Sequence, residues 1–498
     1  MEAGMDNSAL IPQIVPDAEV RLEGASPDWV KSLIMMQFRI ETATEEGTFA
    51  AAGKVLDHCA LLGVNGVWIN PIYERGSRSN GYGNFGPHTI ESLLTGQDTV
   101  EASWVEVRRF VDEAHRRHIR VFFDIIVWGT AKNAPLVRER PEFYAREKGG
   151  FREVWSGYAF DWENEAFRAW FEDAAVAFIE KTGADGFRVD LAPDISGDFF
   201  ERVRKRLHAA GRKIALISEM PNERRDVFDF EQTGVTGWTE PPDYADPARF
   251  AAQKRRFGLP HEYFFTHNVV DAIRAGRGIG SGAMQQRGEG GRFRFYTANL
   301  LCHDDPAPAA RGSRVRFAYG TLFTPMIPMW WIGEEWDNPR QPLPDPHGTG
   351  VMYFNTIDWA AAARAPNARF LEDIKAFIRI RRSYPEIFEH FPASARDAAI
   401  SKITSRLDGQ PNPLQAYARH HVDRAVVVVP NAGEKSARVE VDLGEAGGGL
   451  ALANAGPVRV ADLLHGGFLP ARTPDRPAGF SAYLPGGHLG LYLVEKAE

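Results

Sequence analysis

Only two cysteines occur in 498 residues, Cys59 and Cys302, far apart and each among apolar neighbours. That excludes a disulfide framework, and neither residue belongs to a metal or redox spacing, so both read as buried free thiols. Residues 1–20 show no basic stretch followed by an apolar one, and no later run approaches the length of a membrane span. The expectation is a cytoplasmic protein with no membrane partner. Positive charge is not in excess either: the net charge is -8, which argues against nucleic acid or an anionic surface as partner. Basic tracts such as Arg202-Val-Arg-Lys-Arg206 and Lys254-Arg-Arg256 read as solvated helix faces. There is no internal repeat, and no glycine-rich phosphate fingerprint follows the first apolar run.

What is present is enough apolar material, 44% of residues, to bury a large core, in a chain too long for one core alone. Taken in order, an apolar run over 30–40 reads as a strand and 45–62, stopped by Gly63, as a helix. Val64–Asn70 reads as a strand leading into a long polar, glycine-rich loop over 74–86. A helix follows over Trp104–His118 and a strand over Ile119–Val127. Residues 128–160 interrupt the rhythm with prolines, glycines and aromatics. The alternation then resumes with helix Ala166–Lys181, a strand ending at Asp190, helix Asp198–Ala210 and strand Lys213–Glu219. Later come a strand over Arg292–Leu301, helix Arg311–Leu322, the apolar run Pro325–Ile332 and helix Phe370–Arg382.

Such alternation predicts an α/β fold, a (β/α)8 TIM barrel rather than a doubly wound sheet. Beyond it, short β-like runs with glycine- and proline-rich turns predict a C-terminal antiparallel β-sandwich. The domain reading is an N-terminal arm over 1–25, a barrel over 26–389 with a short insertion after strand three (about 128–160), and the sandwich over 390–498.

The stretch Gly183-Ala-Asp-Gly-Phe-Arg188-Val-Asp190 organises the functional reading. Phe187 and Val189 alternate with Arg188 and Asp190 on a short strand, and buried charges of this kind are tolerable only when paired. One such pair is equally well a structural ion pair. Asp124, Glu219 and Asp304 also close apolar runs, however, and strand ends in such a barrel all point to one rim. Several carboxyl groups of unequal acidity on one rim are what glycoside hydrolysis requires.

These motifs resemble those of the α-amylase family of glycoside hydrolases. Gly186-Phe-Arg188-Val-Asp190-Leu-Ala192 is similar to the family's nucleophile motif, Ile217-Ser-Glu219 to its acid/base motif and Cys302-His303-Asp304 to its third-acid motif. Gly66–Ile72, Gly81-Tyr82, Phe160–Asn164 and Pro325–Glu335 resemble further family segments, in family order, from about residue 30 to 385. The resemblance implies Asp190 as nucleophile, Glu219 as general acid/base and Asp304 as the acid that orients the sugar. It implies Arg188 holding Asp190 ionised, an apolar setting keeping Glu219 protonated, Tyr82 stacking on the sugar and His303 bonding its hydroxyls. Asp124 lies in the strand-three motif, which in the family continues to an Asn-His pair. Here Trp128-Gly129 stands instead, and Pro193-Asp194 replaces a frequent Lys-His. Trp128 is accordingly expected to face the substrate in place of the missing side chains. Arg138–Tyr144 is similar to the corresponding part of maltosyltransferases that use maltose 1-phosphate.

The expected activity is a retaining glycoside hydrolase or transglycosylase working on α-glucosidic bonds of oligosaccharides or α-glucans. A maltosyl or glucosyl transferase or a glucoside isomerase of the same family stays open beside it. A catalytically silent carbohydrate-binding or scaffolding relative is the reading from another class. No cofactor or metal is expected: the excursion's acids between Ala131 and Arg152 are Glu139, Glu142 and Glu147, interspersed with Lys132, Arg138, Arg140, Arg146 and Lys148, too few to assemble a calcium site. The sequence is silent on oligomeric state.

Overall fold

The computed structural model describes residues 7–14, 26–76, 80–154, 157–190, 197–219, 227–231, 286–287, 293–299, 314–324, 326–336, 338, 342–343, 353–354, 356–364, 367–389, 400–444, 453, 457–470 and 478–497. Eight parallel strands form the ring of the central sheet, β1 Met35–Phe38, β2 Gly66–Ile69, β3 Arg120–Ile126, β4 Gly186–Asp190, β5 Ala215–Ser218, β6 Phe230–Glu231, β7 Phe293–Asn299 and β8 Ile327–Trp331, with Gln286–Arg287 added antiparallel to β7. Each pairs in parallel with the next, and β8 returns to β1 with Met35 opposite Met329, so the ring is closed.

Alternation along each strand sorts side chains to the two faces of this ring. Outward positions such as Met36, Phe38, Val67, Ile69, Val121, Phe123, Phe187 and Val189 join the large core under the helices. Inward positions Met35, Trp68, Phe122, Ala215, Ile217, Phe230, Ile327 and Met329 fill the barrel. Gly186 belongs to this inward set, because a Cβ there would collide with the Ala215 carbonyl and crowd the Phe122 ring.

The helices α1 Gly53–Leu62, α2 Val100–Arg116, α3 Glu165–Thr182, α4 Gly197–Ala209 and α5 Asn367–Ser383 cover the outside. Thr99 caps α2 by accepting from the Ala102 amide, and Asn164 caps α3 by accepting from Ala166 and Phe167. Gly63 and Gly183 end α1 and α3 in the left-handed region that a side chain disfavours. The helix expected from residue 45 starts at Gly53, since Gly47 (φ 62) imposes a turn first. The strand expected from residue 30 starts at Met35, because Asp28–Ser32 form a short 3-10 turn that tucks Val30 beneath the barrel.

The N-terminal ends of the strands make a polar floor. Asp185 accepts from Arg120, from the Val121 amide and from His115, each at 2.8 Å. Asp229 takes a bidentate contact from Arg204 at 2.6 and 3.1 Å, the Leu216 amide at 2.7 Å, and the Ser26 hydroxyl. Arg382 on α5 donates to the Ser32 and Gly63 carbonyls, and the Asn7 amide to those of Leu62 and Lys375.

The C-terminal region is one antiparallel sheet built from β9 Ile400–Leu407, β10 Ala416–His421, β11 Arg424–Asn431, β12 Ala437–Asp442, β13 Val458–Asp462, β14 Phe468–Leu469, β15 Gly479–Leu484 and β16 His488–Lys496. The first half of β9 pairs with β10 and its second half with β12, so the sheet folds over at β9 into two leaves. Val427, Val429, Val439, Val441, Phe480 and Val494 lie between the leaves, while Tyr417, Val426, Val428 and Leu491 merge with the barrel's outer core. Reciprocal bonds tie the two parts: Tyr319 donates to the Gln415 carbonyl at 2.8 Å, and Tyr417 to the Tyr319 carbonyl at 2.7 Å.

Candidate active site

At the opposite end of the barrel the inward positions turn polar. Arg188, the middle residue of β4, lies directly across from Asp124 of β3 and Ile217 of β5 in the parallel register. Its Nη1 donates to Asp124 Oδ1 at 2.7 Å and to Asp190 Oδ1 at 2.6 Å, and its Nη2 stands 2.8 Å from Glu219 Oε1. The guanidinium lies 4.8 Å from the centre of the Trp68 ring and 6.0 Å from that of Tyr82. It is fully buried, which disfavours its charge, yet Asp124 and Glu219 foremost hold it more firmly protonated than an ordinary arginine.

Asp124 Oδ2 accepts from Trp68 Nε1 and from the Tyr82 hydroxyl, both at 3.1 Å. Burial pushes its carboxyl up to about 6, although Arg188 and these donors pull the other way. Burial likewise raises Asp190 well above the usual carboxylate range, reinforced by the charge of Glu219 and then of Asp124. Two expectations are corrected here. Arg188 does not by itself keep Asp190 readily ionised, since its single charge serves three carboxyl groups. Nor does Glu219 sit in an apolar setting: it faces Arg188, and its side chain is the most exposed of the three at 20%, against 0% for Asp124 and 7% for Asp190.

Tyr82 does not merely pack as a loop aromatic. Its hydroxyl donates to Asp124 and accepts from Asn70 Nδ2 at 2.8 Å, and Asn70 Oδ1 accepts from Gln37 at 3.1 Å. Gln37, Trp68 and Asn70 were not among the expected site residues. Strand parity points to them: Gln37 is two positions beyond inward Met35, and Asn70 two beyond inward Trp68.

Trp128 follows β3 and rests its six-membered ring against Gly157, where a Cβ would stand 2.8 Å from it. Gly129 starts a short strand paired with Gly157–Ala159, and a side chain there would strike the Tyr158 carbonyl, so the backbone admits only glycine. His303 and Asp304 lie outside the described residues, as do Cys302, Pro193 and Asp194. β7 ends at Asn299, five positions before Asp304.

Glu142 pairs with Arg140 at 2.6 Å and Glu153 with Lys132 at 2.6 Å, each drawn to a neighbouring cation. Among the described residues no group of three or more His, Cys, Asp or Glu side chains is arranged to hold a metal, and no helix is long and apolar enough to cross a membrane.

No family model matches the chain. Sequence relatives are nevertheless found along most of it. The α-amylase MalA of Haloarcula japonica is 23% identical over 452 residues, 85% of this chain but 58% of the relative's own length. The malto-oligosyltrehalose trehalohydrolase of Arthrobacter ramosus is 22% identical over 418 residues, 71% of this chain and 70% of that protein. Among solved structures, a maltogenic α-amylase from Thermotoga neapolitana superposes with a TM-score of 0.66 at 18% identity, covering 94% of this chain and 100% of that one. The fold similarity thus spans barrel and C-terminal sheet together.

Proposed function

We propose that this relative of the α-amylase-family glycosidases is itself a retaining enzyme that cleaves α-glucosidic bonds in oligosaccharides through a glycosyl-enzyme intermediate. The observation that carries the reading is the single buried guanidinium of Arg188 in contact with Asp124, Asp190 and Glu219, side chains of three adjacent barrel strands or their ends.

Three carboxyl groups sharing one guanidinium can divide the roles of acid and base among them, a proton belonging to the cluster rather than to one fixed residue. In the first step an Asp190 oxygen attacks the anomeric carbon while the glycosidic C–O bond breaks and the Glu219 proton passes to the departing oxygen. In the second, Glu219 takes a proton from water, whose oxygen attacks the anomeric carbon and releases Asp190. Glu219 suits the mobile role, because it stands one residue beyond β5 and is the carboxyl most open to solvent. Asp124, fixed by Arg188, Trp68 and Tyr82, has no such freedom and suits holding the sugar. Tyr82, its hydroxyl already engaged on two sides, is left with its ring face to offer a sugar. Asp304 and His303 complete the reading from sequence as the third acid and a hydroxyl partner, with Trp128 flanking the pocket. Water as acceptor agrees with relatives named α-amylase and trehalohydrolase.

The first-formed sugar, followed by NMR, should keep the α configuration; an inverted first product refutes the reading. Glu219→Gln should lose activity on maltooligosaccharides by about a hundredfold or more while largely retaining attack on α-glucosyl fluoride, whose leaving group needs no proton. Equal loss on both counts against the acid role.

A further inference from the structure

The loop between β2 and the helix Ser92–Thr95 carries Tyr82 next to Gly83, where its two limbs pair. Its limbs are paired, with Gly76 donating to the Gly83 carbonyl and Phe85 to that of Glu74, both at 2.8 Å. Those bonds shape the loop but do not aim it. Its aim comes from outside contacts, those of the Tyr82 hydroxyl at one end and those on the two residues before Tyr82 at the other. Gly81 adopts φ 108, and a Cβ there would stand 3.3 Å from the Pro71 carbonyl oxygen, while the Asn80 carbonyl accepts from Arg39 Nη2. Arg39 follows the last residue of β1 and is buried.

Arg39 is held in turn by one carboxylate oxygen. Glu41 Oε1 accepts from Arg39 Nε at 2.9 Å and Nη2 at 2.6 Å, and from Arg75 Nη2 at 2.9 Å. Arg75 belongs to the other limb of the loop, bridged to Asn84. One negative charge therefore fastens both limbs to the end of β1, and without it two guanidinium groups would repel each other across the base of the loop. Burial alone would raise the Glu41 carboxyl, but Arg39 and Arg75 outweigh it and hold it below the ordinary glutamate value.

We infer that Glu41, through Arg39 and Arg75, is a positioning residue that holds Tyr82 in place with its hydroxyl on Asp124. The inference rests on the proposed sugar site, but its physical content is the order of the loop, which can be measured without substrate. Glu41→Gln keeps the side-chain shape and removes the charge.

Hydrogen–deuterium exchange across residues 80–86 should accelerate at least tenfold in Glu41→Gln, with exchange in β4 and β5 unchanged. On an aryl α-glucoside the same variant should lose about tenfold to a hundredfold in kcat/KM, as expected for a small misplacement of a contact group. In a Tyr82→Ala background the substitution should cost nothing further, whereas a general structural role would lower activity equally in both backgrounds. Unchanged exchange over 80–86, or additive losses, overturns the inference. A wild-type chain inactive on every α-glucoside would sink the proposed function and leave exchange alone to decide the positioning role.

Discussion

At the floor of the barrel Asp185 has Arg120 and His115 to itself, and Asp229 has Arg204, with a backbone amide completing each set. At the rim Asp124, Asp190 and Glu219 divide one arginine between them. The chain buries carboxyl groups at both ends of the same strands; among the described residues, the floor matches charge with charge while the rim sets one guanidinium among three carboxyl groups. His115, Arg120 and the Val121 amide outweigh burial and hold Asp185 below its ordinary value, whereas burial leaves Asp124 and Asp190 above theirs. Complete compensation suits a group that serves the fold; incomplete compensation is what the proposed function asks of groups held ready for chemistry.

A pair of substitutions puts this contrast under the greatest strain. Asp190→Asn should reduce kcat by about 10^4-fold or more and leave thermal stability unchanged or slightly improved, since it removes a reluctant charge. Asp229→Asn should do the reverse, costing about 3 kcal/mol of unfolding free energy by stranding Arg204 while the folded fraction keeps its kcat. Denaturant melts and turnover measured on both variants check this; a stability loss at the rim equal to that at the floor would erase the distinction.

A finer test uses pH. Asp124 has a folded value of about 6 against an ordinary 3.8, so the stability it lends is fully present below the ordinary value and lost as pH rises through about 6. Asp185 is depressed, so its contribution is present above the ordinary value and lost as pH falls through its folded one. From about pH 4 to about pH 7, Asp124→Asn should gain on the wild type by at most about 3 kcal/mol, while the penalty of Asp185→Asn, already near its full value at pH 4, should hold nearly level above it and shrink as pH falls below the ordinary value. Parallel rather than divergent trends would break the comparison. The smallest effect is expected from chelation: neither rim nor floor draws on a metal in this reading, so excess EDTA should leave both melting temperature and activity unchanged, and a drop restored by calcium would contradict it.

Much of the rim was legible in the sequence because its signal is local. Arg188 and Asp190 interrupt an apolar run at alternate positions, and Asp124 and Glu219 stand at or near the ends of others. The floor gave no such signal, as Asp185 and Asp229 precede their strands, where an acid is indistinguishable from one in any loop. β6 escaped for a related reason: two residues, Phe230 and Glu231, have no periodicity, and pairing with β5 and β7 alone defines them as a strand. The clamp at Glu41 was also invisible, since the loop it fastens is distant in sequence and only folding brings Arg75 to it.

The floor also bears on the order of assembly. Its ties join residues separated by 203 positions for Ser26 and Asp229, 350 for Ser32 and Arg382, and 368 for Asn7 and Lys375. Contacts of such span form slowly, because so much chain entropy is surrendered before they reward it. During synthesis the segment that tucks beneath the barrel emerges before the strands it closes, yet Arg382, the donor to the Ser32 carbonyl, leaves the ribosome only after all eight strands. The tie from Arg382 must therefore wait for nearly the whole barrel to be made, whereas those of Asn7 to the Leu62 carbonyl and of Ser26 to Asp229 can form earlier, so a nascent chain halted before α5 closes its base only in part.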